Sequence, residues 1–297
     1  MRDLKEFLGR HAVRICGLSI IALTIAIALF LTVRGSESFT VYGHSLSEFL
    51  FSSEWRPQDD FTGGGKIGSA VYIVGSLLTC GLALLLAVPP SLAVAIFMAE
   101  LQPNVGNRYI KPAVELFVGI PSVVYGWVGL TVLVPAIAKL FDRPHGLSVL
   151  AAGLVLGLMI FPTITTLMND ALKAVPQSYR SAAYALGSTR WQVIWRVVIP
   201  AARSGLYTAL IMGLARAFGE ALAVAMVIGK SRVFPESILD PTINLTAAIA
   251  TDMGGATEGG EYNMALWSMA LLLFIVALLC IAIVHLFQML EKRRHER

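Results

Sequence analysis

Six long runs of apolar residues, separated by short polar segments, dominate the pattern along this chain. They fall near residues 14–33, 68–99, 108–138, 147–168, 204–229 and 262–288. A helix needs about 20 mostly apolar residues to cross the hydrocarbon core of a bilayer. The pattern therefore predicts an all-α, polytopic membrane protein with about six transmembrane helices.

Two of the runs are longer than one straight crossing requires, and both contain proline. The second holds Pro89 and Pro90, and the third holds Pro121. Proline removes a helix N–H donor and kinks or interrupts a helix. We expect tilt, or a break into two helical segments, to absorb the extra length.

The first run is predicted to be retained as a transmembrane helix. It is longer than the core of a signal peptide, which spans about 7–15 apolar residues. It is followed by Arg34 to Glu37, where no small-x-small cleavage site is present.

Composition agrees with a membrane protein. Of the 297 residues 56% are hydrophobic and 14% are charged, and the mean hydropathy is +0.72. Soluble domains carry about 25% charged residues, so a soluble fold could not cover this much apolar surface. The three cysteines lie inside apolar runs, and the five histidines have no ligand spacing. We expect buried free thiols and no metal site.

The distribution of Lys and Arg predicts the orientation. With the N-terminus in the cytoplasm, 15 of the 23 basic residues fall in the two tails and the loops after the second and fourth spans. Seven fall in the outer loops, and Arg216 lies within the fifth span. Positive charge accumulates on cytoplasmic loops. We therefore expect a multi-pass protein of the cell (inner) membrane with both termini cytoplasmic.

The longest predicted cytoplasmic loop, residues 169–203, carries a specific spacing. Ala182 and Ala183 precede Gly187 by five and four residues, and Pro200 follows it by thirteen. The spacing predicts a short helix, a turn at Gly187 where the absent Cβ frees the backbone, and a second short helix that ends near Pro200.

This spacing is similar to the signature of the loop through which ABC importer permeases contact their ATPase. Ser181 stands where that signature has a glutamate. Small residues at 182 and 183 would let the helix sit closely in a groove of another protein. We call residues 169–203 the coupling loop; the alternative is an ordinary cytoplasmic loop.

The resulting division of the chain has four parts. Residues 1–34 form a cytoplasmic tail and the first span, and 35–67 form an extracytoplasmic segment. Residues 68–290 form a permease core of five spans that includes the coupling loop, and 291–297 form a cytoplasmic tail.

Arg216 and Glu220 are predicted to lie within the fifth span, four residues apart and therefore on one helix face. Charges at this depth usually face a pathway or a partner. A guanidinium suits bidentate binding of a tetrahedral oxyanion. Three interpretations remain open: direct contact of Arg216 with an anion, a structural Arg216–Glu220 ion pair, or snorkelling towards the lipid headgroups.

The third span contains Pro121, Ser122 and Tyr125 near its middle. Pro121 leaves one helix carbonyl free, and the two hydroxyl groups lie close to it in sequence. Transporters often place a ligand site or gate at such a break. A simple proline kink with core hydroxyls is the alternative. Pro162 and Thr163 form a weaker version in the fourth span.

Two segments resemble fragments of a phosphate-binding loop, residues 63–66 and 229–231. The nucleotide motif needs a glycine five residues before its Gly-Lys pair, but Val224 and Asp60 occupy those positions. We expect no ATP site on this chain and no cofactor of its own.

With these motifs in place, the chain resembles the phosphate-specific ABC importer permeases, and within them the C-type subunits. The resemblance runs from about residue 45 to the C-terminus. The segments that carry it are residues 51–55 and 57, 75–76, 89, 95–100, 115–116, 119–126, 191–200 and 216–220.

The resemblance implies an importer of inorganic phosphate with a permease core of the MetI-like type. Its implied partners are a second related permease, two copies of a cytoplasmic ATPase and an extracytoplasmic phosphate-binding protein, with no nucleic acid. The proposed mechanism is alternating access, in which the binding protein docks on segments 34–66 and 230–261 and ATP hydrolysis moves the coupling loop. Arg216 would balance the charge of the anion. Ser181 in place of glutamate changes one contact to the ATPase.

Rival functions remain at this point. The same machinery could import sulfate or molybdate. An ion-driven secondary carrier could use Arg216 and Glu220 as a proton relay, although the coupling loop would then have no purpose. A membrane-embedded enzyme would need a cluster of polar catalytic residues at an interface, and the sequence shows none.

Overall fold

The structure, a computed structural model, describes residues 2–59 and 61–295 and is built almost entirely of helices. Met1 and residues 296–297, which belong to the predicted cytoplasmic tails, lie outside the described residues. Among the described residues, six helices are long and apolar enough to cross a membrane. They are Val13–Thr40, Ala70–Leu101, Ser122–Leu140, Val149–Lys173, Arg190–Gly219 and Glu261–Ile283. The predicted all-α, six-span fold class is confirmed.

The elements follow one another along the chain with few long loops. The first half contains α1 (Arg2–Thr40), α2 (Leu46–Phe51), β1 (Trp55–Arg56), β2 (Lys66–Ile67), α3 (Ala70–Ile96), α4 (Pro103–Val105), α5 (Lys111–Val118), α6 (Ser122–Val128) and α7 (Val134–Leu140). The second half contains α8 (Val149–Lys173), α9 (Gln177–Ala185), α10 (Arg190–Val193), α11 (Ile199–Gly219), α12 (Leu222–Val227), α13 (Leu245–Asp252) and α14 (Glu261–His295). Four π-helical segments extend or join these helices: Phe97–Leu101, Gly106–Ile110, Gly129–Leu133 and Ile194–Val198.

The helices form a bundle with two distinct ends. One end carries the turn between α8 and α10, and we call it the loop end. The other carries residues 41–69 and 228–260, and we call it the opposite end. Antiparallel β1 and β2 pair there, with Trp55 opposite Ile67. An exposed ion pair of 2.5 Å between Lys66 and Glu54 lies beside the strands, and it lowers the pKa of the Glu54 carboxyl.

Close contact between α3 and α8 forms the centre of the bundle. Gly153 and Gly157 of α8 lie against Leu82 and Ala83 of α3, where an added Cβ would press on the neighbouring helix. Small residues let the backbones of membrane helices approach closely. Such close packing holds membrane helices together, because lipid is as apolar as the helix surfaces and supplies no hydrophobic driving force. The buried core extends from this contact to α11 and α12.

At the opposite end, the buried carboxylate of Glu261 holds the polar segment 41–67 against the start of α14. It lies 2.7 Å from His44 Nε2 and accepts hydrogen bonds from the backbone N–H groups of Gln58 and Gly65. Only 1% of Glu261 is exposed. A buried charge needs such partners, so this cluster orders a segment that has little regular secondary structure.

Several span bounds differ from the sequence prediction. The first helix does not end at residue 33 but continues to Thr40, because Arg34 pairs with Glu37 one turn later and the polar residues there still form helix. The third span does not begin at residue 108: α5 is a separate helix, and the spanning helix starts at Ser122.

The sequence predicted that a short helix would end near Pro200, and this prediction is wrong. Pro200 lies in the first turn of α11, and the helix is continuous from Arg190 to Gly219. The π-helical segment Ile194–Val198 precedes it. Proline lacks the N–H that would bond to the carbonyl of residue 196, and a π-turn changes the local bonding register, so the helix passes the proline without a break.

Candidate substrate pathway and coupling surface

Arg216 is held at mid-bundle by a hydroxyl group. It is half-buried near the end of α11, and its Nη1 donates a hydrogen bond of 2.8 Å to Oγ1 of Thr163. Thr163 lies near the middle of α8, directly after Pro162. Arg216 is also close enough to Tyr125 of α6 for an electrostatic interaction. In the described part of the chain, the other guanidinium N–H groups have no hydrogen-bond acceptor.

Glu220 does not pair with Arg216. Helix α11 ends at Gly219, and Glu220 has extended backbone angles, φ −80° and ψ 118°. Its Oε1 instead accepts a hydrogen bond of 3.1 Å from the N–H of Ala223, in the first turn of α12. The two residues would share one face only on an uninterrupted helix. The structural Arg216–Glu220 ion pair, one of the three interpretations that the sequence left open, is therefore absent from this conformation, and no carboxylate of the described residues lies at salt-bridge distance from Arg216.

The break at Glu220 is fixed by tertiary contacts. Its carbonyl oxygen accepts a hydrogen bond of 2.9 Å from Oγ1 of Thr246, in α13. A side-chain carboxylate at a helix N-terminus also interacts favourably with the partial positive charge there. The hydrogen bonds from Thr246 to the Glu220 carbonyl and from Ala223 to the Glu220 carboxylate replace the helical bonds that are lost between α11 and α12.

The break predicted at Pro121 is present, but it lies at the start of the third spanning helix rather than near its middle. Helix α5 ends at Val118 and α6 begins at Ser122, with Pro121 in an extended conformation between them. The hydroxyl of Tyr125 donates a hydrogen bond of 2.9 Å to the carbonyl of Phe117. This is the carbonyl that a residue other than proline at 121 would bond in a continuous helix. Tyr125 therefore satisfies the acceptor that Pro121 leaves free.

The two broken helices lie side by side and run in the same direction. A Cβ on Gly126 would touch Ala223 and Met226, and one on Gly129 would touch Val227. The matching order of these contacts shows that α6 and α12 are parallel. The starts of both helices, at Ser122 and Leu222, therefore lie at the same end of this contact. Ser122 is half-buried there.

The coupling loop has the predicted helix and turn. Gly187 has φ +78°, a left-handed conformation that favours glycine. The N–H of Ser188 bonds to the carbonyl of Ala183 at 3.2 Å, and the N–H of Gly187 to that of Tyr184 at 2.9 Å. These two bonds form a Schellman C-cap. Thr189 and Gln192 then form a capping box at the start of α10.

Ser181, Ala182 and Ala183 face different surroundings. Ser181 and Ala182 are exposed, whereas Ala183 is buried against the bundle, with 8% of its surface exposed. The expectation that both alanines meet another protein is therefore wrong for Ala183, because it packs against the core of its own chain. The outer surface of the turn also includes the side chains of Tyr179 and Leu186, both exposed.

Comparison with known proteins adds the family. Residues 91–296 match the family described as binding-protein-dependent transport system inner membrane component. The chain is 48% identical to the probable ABC transporter permease protein YqgH of Bacillus subtilis, over 95% of this chain and 91% of that protein. It is 34% identical to the phosphate transport system permease protein PstC of Pasteurella multocida, over 98% and 94% of the two chains. For PstC of Xylella fastidiosa strain 9a5c the identity is 37%, over 93% and 87%.

Solved structures agree in fold. A bacterial alginate ABC transporter, in complex with an alginate-bound periplasmic protein, superposes with a TM-score of 0.59 at 17% identity, covering 90% of this chain and 92% of that one. An inward-facing MetNI methionine ABC transporter gives 0.52 at 19% identity, covering 73% and 93%.

The family match and the relatives define a membrane permease of the ABC importer class, and the fold agrees with it. The chain belongs to the family of binding-protein-dependent transport system inner membrane components.

Proposed function

We propose that this chain is the permease subunit of an ATP-driven importer of inorganic phosphate. The observation that carries the proposal is Arg216: a guanidinium at mid-bundle, held by the Thr163 hydroxyl and without a carboxylate at salt-bridge distance in the described chain. Such a group suits a tetrahedral oxyanion, which accepts planar pairs of N–H bonds. The PstC relatives, at 34% and 37% identity over most of the chain, are phosphate transport system permeases.

The proposed pathway passes Arg216 and the two helix breaks. Ser122 and Tyr125 present hydroxyl groups at the break made by Pro121, and Thr163 holds the guanidinium. Glu220 caps α12 in this conformation. In a state where the break at 220 closes into helix, it would come within one turn of Arg216 and could hold it when no anion is bound.

The proposed assembly contains four kinds of subunit. A second related permease would complete the pathway, and two copies of an ATPase would dock on the coupling loop around Ser181, Ala182, Gly187 and Pro200. An extracytoplasmic phosphate-binding protein would dock on the opposite end. The loop end and both termini would then be cytoplasmic, in accord with the positive charge of those segments. The chain itself would carry no cofactor, because the ATPase partner binds and hydrolyses ATP.

The test is ATP-dependent uptake of radiolabelled phosphate into proteoliposomes that contain this chain with its co-purified partners and the binding protein. We expect uptake that requires ATP and the binding protein and resists excess sulfate and molybdate. ATP-driven uptake of sulfate or molybdate without phosphate uptake would retain the permease and reject phosphate. Uptake driven by an ion gradient, without ATP, would favour a secondary carrier.

A further inference from the structure

A buried ion pair joins the coupling loop to the end of the α3 span. Arg180 of α9 contacts Glu100, in the π-helical segment that extends α3, with Nη2 at 2.6 Å and Nε at 3.1 Å from Oε1. Nε also lies 3.3 Å from Oε2. The side chains are 10% and 8% exposed. The pair is therefore bidentate and shielded from water, unlike the mobile ion pairs of a protein surface.

The same guanidinium also holds the end of α8. Arg180 Nη1 donates to the carbonyl of Val175 at 2.6 Å, and Nη2 donates to that of Leu172 at 2.9 Å. The donors of arginine lie in one rigid plane. Arg180 therefore sets the positions of α9, α8 and the end of α3 relative to one another.

A second arginine makes the attachment from the other side of Gly187. Arg190, the first residue of α10, donates from Nη2 to the carbonyls of Glu100 and Leu101, the latter at 2.7 Å. The two helices on either side of Gly187 are thus both hydrogen-bonded to the π-helical segment that extends α3. If the turn around Gly187 moves, the end of α3 must move with it unless these hydrogen bonds break.

We propose that Glu100, Arg180 and Arg190 are positioning residues that transmit movement of the coupling loop to the α3 span. This proposal rests on the assignment of that loop as the ATPase contact. Replacing a buried ion pair by apolar residues of similar size is often neutral for stability, so stability alone does not explain the pair. A rigid connection explains why the pair is present, because α3 packs extensively against α8 and would carry the movement into the centre of the bundle.

The decisive variant replaces both charges, Glu100→Met together with Arg180→Met. Removing both partners leaves no unpaired buried charge, but the carbonyls of Val175 and Leu172 lose their Arg180 donors, so assembly with the ATPase is checked first. We expect the amount of phosphate taken up per ATP hydrolysed to fall about tenfold, the scale of a typical coupling between two sites. The ATP hydrolysis rate of the assembled complex should change little.

Lys173→Met is the matched control. Lys173 lies in the same cleft as Glu100 and Arg180, but its Nζ bonds to Asn107 instead, at 2.7 Å. We expect this control to take up as much phosphate per ATP hydrolysed as the unmodified complex. A low ratio in this control would mean that positive charge in the cleft matters rather than the connection, and it would overturn the proposal.

An unchanged ratio in the folded, assembled double variant would also overturn it. If that variant does not assemble, Arg180→Lys decides, because it keeps the charge and loses the planar set of bonds: a lowered ratio supports the connection, and a normal ratio rejects it. The unmodified complex is measured first. If it imports another anion, phosphate is rejected as the substrate and the ratios are determined with the anion that it carries.

Discussion

At the scale of single residues, the placement of Arg216 is the most informative feature. A charged side chain within a membrane is costly unless it meets a partner, a cavity or water. Here the described chain offers one hydroxyl, from Thr163, and the carboxylate of Glu220 is engaged elsewhere. This arrangement leaves positive charge available for the anion that the proposed pathway would carry.

We expect Arg216→Gln to lower phosphate uptake about a hundredfold, because a hydrogen bond to a charged group contributes about 1.5–3 kcal/mol. Co-purification of the ATPase should not change, since Arg216 lies far along the helix from the coupling turn. The measurement is initial uptake in proteoliposomes. Arg14→Gln removes a cation from exposed α1 and is the control; preserved uptake in Arg216→Gln would reject the role of Arg216.

At the scale of elements, glycine and proline residues are the positions at which breaks and turns could be predicted from the sequence. The break at Pro121 and the turn at Gly187 were both predicted, because each follows from the local geometry of one residue. The helix end predicted near Pro200 was wrong, because the π-turn that accommodates this proline has no simple sequence signal.

The break at Glu220 could not be predicted from the surrounding residues. It depends on the Thr246 hydroxyl, which reaches the Glu220 carbonyl from 26 positions away in sequence. The Arg180–Glu100 pair joins residues 80 positions apart. The inward orientation of Ala183 likewise depends on packing. Contacts of this kind have no periodic or local pattern, so sequence reasoning missed them.

We expect Gly187→Ala to weaken coupling through the turn. Placing a Cβ in the left-handed conformation costs about 1–2 kcal/mol, so the angle between α9 and α10 should shift or the turn should fray. ATP hydrolysis stimulated by the loaded binding protein is the measurement, and a clear loss is expected. Gly17→Ala, in helical α1 with open space around it, serves as the control and should keep full stimulation. Equal activity of the two variants would mean that the turn geometry is dispensable.

At the scale of the whole molecule, the bundle leaves much apolar surface uncovered. None of the most apolar part of α1 is buried within the chain, and α6 exposes Val124 and Val128 on the side of Tyr125. Lipid is sufficient to cover α1. A pathway that passes Tyr125 and Arg216 must be enclosed, so the α6 face needs a protein neighbour, which the proposed second permease would supply.

We expect Val128→Cys to be protected from a lipid-soluble maleimide in the complex with the second permease and to react when the chain is purified alone. Leu29→Cys, on α1, should react in both preparations. Cys16 and Cys280 are exposed and half-buried free thiols, so the background lacks both. Mass spectrometry measures the modified fraction. Equal reaction of Val128→Cys in both preparations would place the partner on another face.

The uninterrupted helix from Arg190 to Gly219 has a mechanical consequence. At 1.5 Å per residue, Arg190 and Arg216 lie about 39 Å apart along this helix. A tilt of roughly 10° about the first would displace the second by about 7 Å, more than the diameter of a bare phosphate ion. In the proposed transporter, a small tilt of this helix at the coupling loop would thus become a large displacement beside the anion.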